Sequence, residues 1–251
     1  MLIMGILNVT PDSFADGGRH NKFDAAVARG LEMIAEGVDI IDIGGESTRP
    51  GAERVSEAEE IERTIPVIAE LAKHGVKISI DTMRASTAEV AIKAGASIIN
   101  DVSGGLADPH MLQTAARLGV PYIAMHWRGQ SKDMSSKAIY SDVVIDVISE
   151  LQERITAALD AGIEVGNLII DPGLGFAKDA EHNWEIIDSI DSFVDLGYPV
   201  LVGASRKRFL GGDSPDEREQ ATIDLTKRLA TTGVWAVRVH SVKPHKEVLA
   251  Q

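Results

Sequence analysis

The sequence predicts an α/β protein built as a single (β/α)8 TIM barrel over residues 1–251, closed by a short eighth helix. Three observations predict it. A helix-period segment that ends in Gly and leads within a few residues into a β-rich apolar run recurs seven times. One further apolar run precedes the first of these units, which brings the strands to eight. No Gly-x-Gly-x-x-Gly turn follows the first run, which weakens the rival doubly wound sheet.

Each element has its own signal. Leu2–Val9 is the first strand. Gly37 then precedes Val-Asp-Ile-Ile-Asp-Ile-Gly (38–44). The second helix opens on Ser56-x-x-Glu59, which reads as a capping box. It carries Pro66, where a kink is expected, and stops at Gly75 before Val-Lys-Ile-Ser-Ile-Asp (76–81). Ser86-x-x-Glu89 reads as a second capping box, and Gly95 leads into Ser-Ile-Ile-Asn-Asp (97–101). Asp108-Pro109 reads as a cap followed by Pro at the first helical position. Gly119 introduces Pro-Tyr-Ile-Ala-Met-His-Trp (121–127), and Gly162 leads to Leu-Ile-Ile-Asp-Pro (168–172). Gly197 precedes Pro-Val-Leu-Val-Gly (199–203). Ser214-Pro-Asp-Glu217 reads as a third capping box, and Gly233 precedes Trp-Ala-Val-Arg-Val-His (235–240). Gly recurs after helices because that position often adopts a left-handed conformation. The last helix can only be Pro244–Gln251, about two turns. Short apolar strands alternating with helices imply a parallel sheet covered on its outside.

Composition limits the function. The 251 residues include 38 acidic and 25 basic ones, a net charge of −13, and 44% are hydrophobic. Such an acidic chain lacks the basic face that nucleic acid or an anionic membrane requires. A small anionic substrate needs a local basic pocket that overcomes the global field. The acidic stretch Glu-Arg-Val-Ser-Glu-Ala-Glu-Glu-Ile-Glu-Arg (53–63) reads as a solvated helix face. There is no cysteine, hence no disulfide and no thiolate chemistry. The N-terminal residues lack the basic region of a signal peptide. No apolar run reaches the ~20 residues of a membrane span. A cytoplasmic protein is expected.

The chemistry of such a barrel sits at the C-terminal ends of its strands. Read in order, those ends supply Asn8, Asp42 with Glu46 beyond it, Asp81, Asn100 with Asp101, His126, Asp171, Lys207, and Arg238 with His240. A lone Asp in such a place usually caps a helix. A whole ring is harder to explain so, because Asp81, Asn100 and Asp171 end strongly apolar runs where burial is costly without a partner. The seven histidines show no zinc-ligand spacing, and no P-loop, His-Glu-x-x-His or Gly-x-Ser-x-Gly motif is present. Three long loops follow strands 1, 2 and 6. The first holds Asp12, Ser13, Phe14 and Asp16, and the second holds Thr48, Arg49, Pro50 and Gly51. The third is Asp-Pro-Gly-Leu-Gly-Phe-Ala-Lys-Asp-Ala-Glu-His-Asn-Trp (171–184). Long ordered loops on this face are usually functional.

The segments GILNVTPDSFADGG, DIGGESTRPGA, SIDTMRA, INDVSGG, DPGLGFAK with HNW, VGASRKRF and VRVH resemble the signature segments of dihydropteroate synthase. They stand in that family's order and span residues 4–240. The resemblance implies condensation of 6-hydroxymethyl-7,8-dihydropterin diphosphate with 4-aminobenzoate, giving 7,8-dihydropteroate and diphosphate for folate synthesis. It makes the chain a sulfonamide target. It places Asp81, Asn100 and Asp171 around the pterin, with Lys207 donating to the pterin carbonyl and Gly203 at the pocket wall. A carboxylate suits the adjacent N–H groups of a 2-aminopyrimidinone edge.

The resemblance further implies a diphosphate site made by Asn8, Thr48, Arg49, Arg238 and His240. Asn8 is the implied Mg2+ ligand, joined by Asp16 when the first loop closes, with Phe14 on the same loop. Phe176, Pro50 and the stem of Arg208 border the aminobenzoate, although some relatives carry Ser in place of Arg208. The implied reaction is an SN1-type substitution, in which Asp81 stabilises a cationic pterin methylene. Asp81, Lys207, Arg238 and His240 are the implied catalytic set. Arg206 is expected in a structural salt bridge. A homodimer is implied. Two other readings stay open: a pterin-barrel methyltransferase serving a corrinoid, and a non-catalytic pterin-binding paralogue.

Overall fold

The computed structural model describes residues 1–10, 19–46, 55–129 and 134–250. Phe14, Asp16, Thr48, Arg49 and Pro50 lie outside the described residues. The strands are β1 (Leu2–Asn8), β2 (Ile40–Gly44), β3 (Lys77–Asp81), β4 (Ile98–Asp101), β5 (Tyr122–Met125), β6 (Leu168–Asp171), β7 (Leu201–Val202) and β8 (Ala236–Val239). The helices are α1 (Arg19–Ala35), α2 (Glu57–Leu71), α3 (Ala85–Ala94), α4 (Met111–Leu118), α5 (Val143–Asp160), α6 (Ala180–Asp188), α7 (Ile190–Val194), α8 (Glu219–Leu229) and α9 (Lys243–Leu249).

Every strand pairing is parallel, in the order β6-β5-β4-β3-β2-β1-β8-β7. The two end strands meet at a parallel bridge between Ile170 and Val200, where the Ile170 N–H donates to Pro199 O at 3.0 Å. The sheet is therefore a barrel, as the sequence predicts. β7 contributes only two residues because Pro199 has no N–H to give and the chain leaves the ladder at Gly203.

The seven glycines predicted to end helical segments all have positive φ, between 64° and 119°. The closing helix, α9, has seven residues, so the short eighth helix is real. Ser56 caps α2 as expected, accepting the Glu59 N–H at 3.2 Å. The helix runs on through Pro66 to Leu71.

Three caps are placed differently from the sequence reading. Ser86 is the second residue of α3 and caps nothing. The free Ala85 N–H at the start of α3 instead donates to Asp108 Oδ2 at 2.8 Å, from the loop after β4. Asp108 Oδ1 takes the His110 N–H, and α4 starts at Met111 rather than Pro109. A cap supplied across the fold leaves no local sequence pattern. The Ser214–Glu217 pair does form reciprocal bonds, but they close a turn, and α8 begins only at Glu219.

Side chains at alternate strand positions point into the barrel. Met4, Ile40, Ile98, Ile123, Ile169, Leu201 and Ala236 make one buried apolar layer there. The opposite strand faces pack against the helices in a larger cluster that includes Ile41, Ile43, Ile78, Ile80, Ile99, Tyr122, Ile170 and Val237. The inner layer is the floor on which the site stands.

Candidate active site

Two residues beyond the apolar floor, the inward positions turn polar. Ile40 leads to Asp42, Ile98 to Asn100, Ile169 to Asp171 and Ala236 to Arg238, while Ser79 and Asp81 follow one another on β3. Strand register aligns them. Asn8, Gly44, Asp81 and Asn100 are successive partners across β1 to β4, and Asp42 faces Ser79 one step below. Asp42, Ser79, Asp81, Asn100 and Asp171 are all buried.

Arg238 ties this layer together. Its Nε donates to Asp42 Oδ2 at 2.5 Å, and its Nη2 donates to Asp81 Oδ2 at 2.5 Å. Asn100 Nδ2 also donates to Asp42 Oδ2, at 3.1 Å. Burial pushes the Asp81 carboxyl up to about 7, Arg238 pulls it down, and Asp42 adds to the rise. Burial also raises Asp171, whose Oδ1 accepts the Gly173 N–H at 2.7 Å.

Opposite these carboxylates stands Lys207. Its Nζ donates to Leu174 O and lies 4.6 Å from the centre of the Phe176 ring. Burial lowers the ammonium to about 8, against the pull of Asp171. Gly175, at φ 75°, is needed here, since a Cβ on it would fall 2.8 Å from Lys207 Cδ.

The basic run after β7 is split by one backbone residue. Arg206 has φ 58°, a left-handed conformation that is uncommon for a bulky side chain. It turns outward, with Nε donating to Glu219 at 2.6 Å and Nη2 to Ser241 Oγ at 2.9 Å. That is the structural ion pair expected for Arg206. Lys207 then faces the site, while Arg208 is exposed at the start of a 3-10 turn. Gly203 lies beside Asp171 and Arg238, where a Cβ would be 3.8 Å from Asp171 Oδ2, an ordinary contact distance. His240 closes the ring after β8, with Nδ1 2.9 Å from Ser205 Oγ. Asn8 is half-buried at the end of β1.

Not every polar strand end belongs here. Asp101 points out of the barrel and accepts from Ser103, Gly105 and the Tyr122 hydroxyl. Glu46 accepts from Arg84 and from the Val55 N–H at the far end of the second loop. Sequence reasoning placed Asp42 among the polar strand ends without a partner and did not single out Ser79. Alternation exposes Ser79, which lies two residues before the inward Asp81, as Asp42 lies two after the inward Ile40.

Residues 4–240 match the pterin binding enzyme family. A dihydropteroate synthase of Mycobacterium leprae is 48% identical over 98% of this chain and 90% of its own length. The chain belongs to the dihydropteroate synthase family.

The fold of this member of the family agrees with solved relatives. The Xanthomonas albilineans dihydropteroate synthase with 4-aminobenzoic acid superposes with a TM-score of 0.93 at 42% identity, covering 99% of this chain and 90% of that one. A complex of the Xanthomonas albilineans synthase with 7,8-dihydropteroate gives 0.90 at 39% identity, covering 99% and 91%. The resemblance carried by seven short segments thus extends over nearly the whole chain.

Proposed function

We propose that the barrel mouth binds 6-hydroxymethyl-7,8-dihydropterin diphosphate and 4-aminobenzoate and joins them into 7,8-dihydropteroate. The observation that carries this reading is the polar layer itself: Asn100, Asp171 and Arg238 stand two residues above an apolar floor, Asp81 is level with Asn100 in the strand register, and Lys207 lies on the same mouth. Carboxylates and an amide can take the N–H edge of a flat aminopyrimidinone, and an ammonium can donate to its carbonyl. A pocket so fully engaged rejects rings that lack those groups.

No nucleophilic side chain is required. The C–O bond breaks and diphosphate leaves with its electron pair, the pterin methylene becomes cationic, and the arylamine nitrogen attacks it and then releases one proton. Asp81 lies in the polar layer and, once ionised, supplies a negative charge for that cation. Arg238 has five N–H donors, and its bonds to Asp42 and Asp81 use two of them. The others are left for diphosphate oxygens, beside His240. Asn8 suits Mg2+, which takes few protein ligands and fills its shell from phosphate and water. When bound, Mg2+ supplies charge neutralisation on the leaving group. Phe176 and the Arg208 stem border the aminobenzoate.

The test is to incubate the chain with the pterin diphosphate, 4-aminobenzoate and Mg2+ while following diphosphate. Release that depends on the amine, with dihydropteroate as co-product, is the expected result. Equally fast release without the amine, or none at all, contradicts the reading.

A further inference from the structure

The loop after β6 carries Phe176 and the Leu174 carbonyl, the two groups that face Lys207. A second lysine on the same loop, Lys178, points inward beneath it. Its Nζ donates to Gly173 O at 3.1 Å and to Phe176 O at 3.1 Å, so one ammonium spans the loop. Its third bond is to His126 Nδ1, at 2.9 Å. Burial lowers Lys178 to about 7, with Asp171 pulling the other way; in its ammonium form it only donates, so Nδ1 accepts and the imidazole proton sits on Nε2. Nε2 then donates to Glu150 Oε2 at 2.9 Å. Burial lowers His126 to about 4, which keeps the ring neutral. Glu150 is bound from its other side by Arg128 and is held down to about 2 by His126 and Arg128 against the rise from burial.

The backbone is bent to make this possible. Ala177 has φ 49°, left-handed for a residue with a Cβ. Tyr140 Oη donates to Ala177 O at 2.9 Å and holds that turn. Gly175 N–H is fixed by Asn183 Oδ1 at 2.6 Å. A strained residue that is held from both sides marks a segment whose exact placement matters.

We propose that Lys178 is a positioning residue for the arylamine substrate: anchored from behind by His126 and Glu150, its ammonium staples the β6–α6 loop so that the Phe176 ring stays against Lys207. Lys178 itself touches no substrate. The inference rests on the reading that Phe176 borders 4-aminobenzoate.

The experiment compares Lys178→Met, Phe176→Ala and the double variant, with KM for each substrate and kcat. Lys178→Met raises KM for 4-aminobenzoate about tenfold, the size expected when charge-assisted bonds that fix a contact are lost. KM for the pterin diphosphate moves much less. In the Phe176→Ala background Lys178→Met adds little, because both changes act through one ring. Additive effects, equal rises for both substrates, or an unchanged KM overturn the proposal. A Phe176→Ala chain with normal KM for 4-aminobenzoate overturns the reading beneath it as well, which separates the two failures. Should Lys178→Met not fold, Glu150→Gln on the half-exposed outer side of the chain of contacts serves instead. It shifts KM for 4-aminobenzoate in the same direction by a smaller factor, and no shift overturns the proposal.

Discussion

Asp81→Asn lowers kcat by about 10^2- to 10^3-fold, the scale of losing one preorganised electrostatic stabiliser, while the barrel still forms. The substitution keeps the shape and one hydrogen-bonding oxygen for the pterin edge, and it removes the charge that faces the cation. Turnover measured beside pterin affinity distinguishes these roles, and normal turnover removes Asp81 from the chemistry. The pH dependence follows from the same environment. Burial lifts Asp81 to about 7, so its ionised form accumulates as pH rises through that value. The wild-type rate climbs across that range, and the Asn variant loses this limb. Stability runs the other way. The native state holds a proton on Asp81 that the unfolded chain has released above about 4. Between about 4 and 7 the unfolded chain has given up this proton while the native state keeps it, so native stability falls as pH rises. Melting curves of the wild type fall relative to Asp81→Asn across that window.

Arg238→Ala is expected to destabilise the protein by about 3–5 kcal/mol, because it strands two buried carboxylates, Asp42 and Asp81, that share one guanidinium. For a chain of this size that corresponds to a fall in Tm of about 10 °C. Adding Asp42→Asn removes one stranded charge and restores part of the loss. A melting temperature unchanged by Arg238→Ala shows that these bonds do not hold the mouth together. The same variant tests the phosphate role. Calorimetry should show a greater loss of affinity for the pterin diphosphate than for free pterin.

The fold was legible because its signals are local. A helix that ends on Gly37 or Gly119 and runs into an apolar strand carries its own boundary, and eight such units leave few alternatives to a closed sheet. The ring of strand-end residues was legible for the same reason, since Asp81, Asn100 and Asp171 close apolar runs. What escaped the sequence depends on partners brought from afar. Asp108 caps α3 from another loop. Asp42 stood among the strand ends, but its bond from Arg238 exists only once the barrel brings the two together. Adjacent residues separate too: Asn100 turns inward and Asp101 outward, a distinction set by strand alternation once the register is known. Lys178 stood in plain view in the third long loop. Its role emerged only when the left-handed Ala177 turned it beneath the loop.

The most direct measurement is a crystal structure of the chain grown with 7,8-dihydropteroate. The account predicts the pterin ring in the C-terminal mouth, its N–H edge within hydrogen-bond distance of Asp81, Asn100 and Asp171, its carbonyl facing Lys207 and its aminobenzoate arm toward Phe176. A ring bound anywhere else, for instance at the opposite end of the barrel near Asp39 and His74, contradicts it.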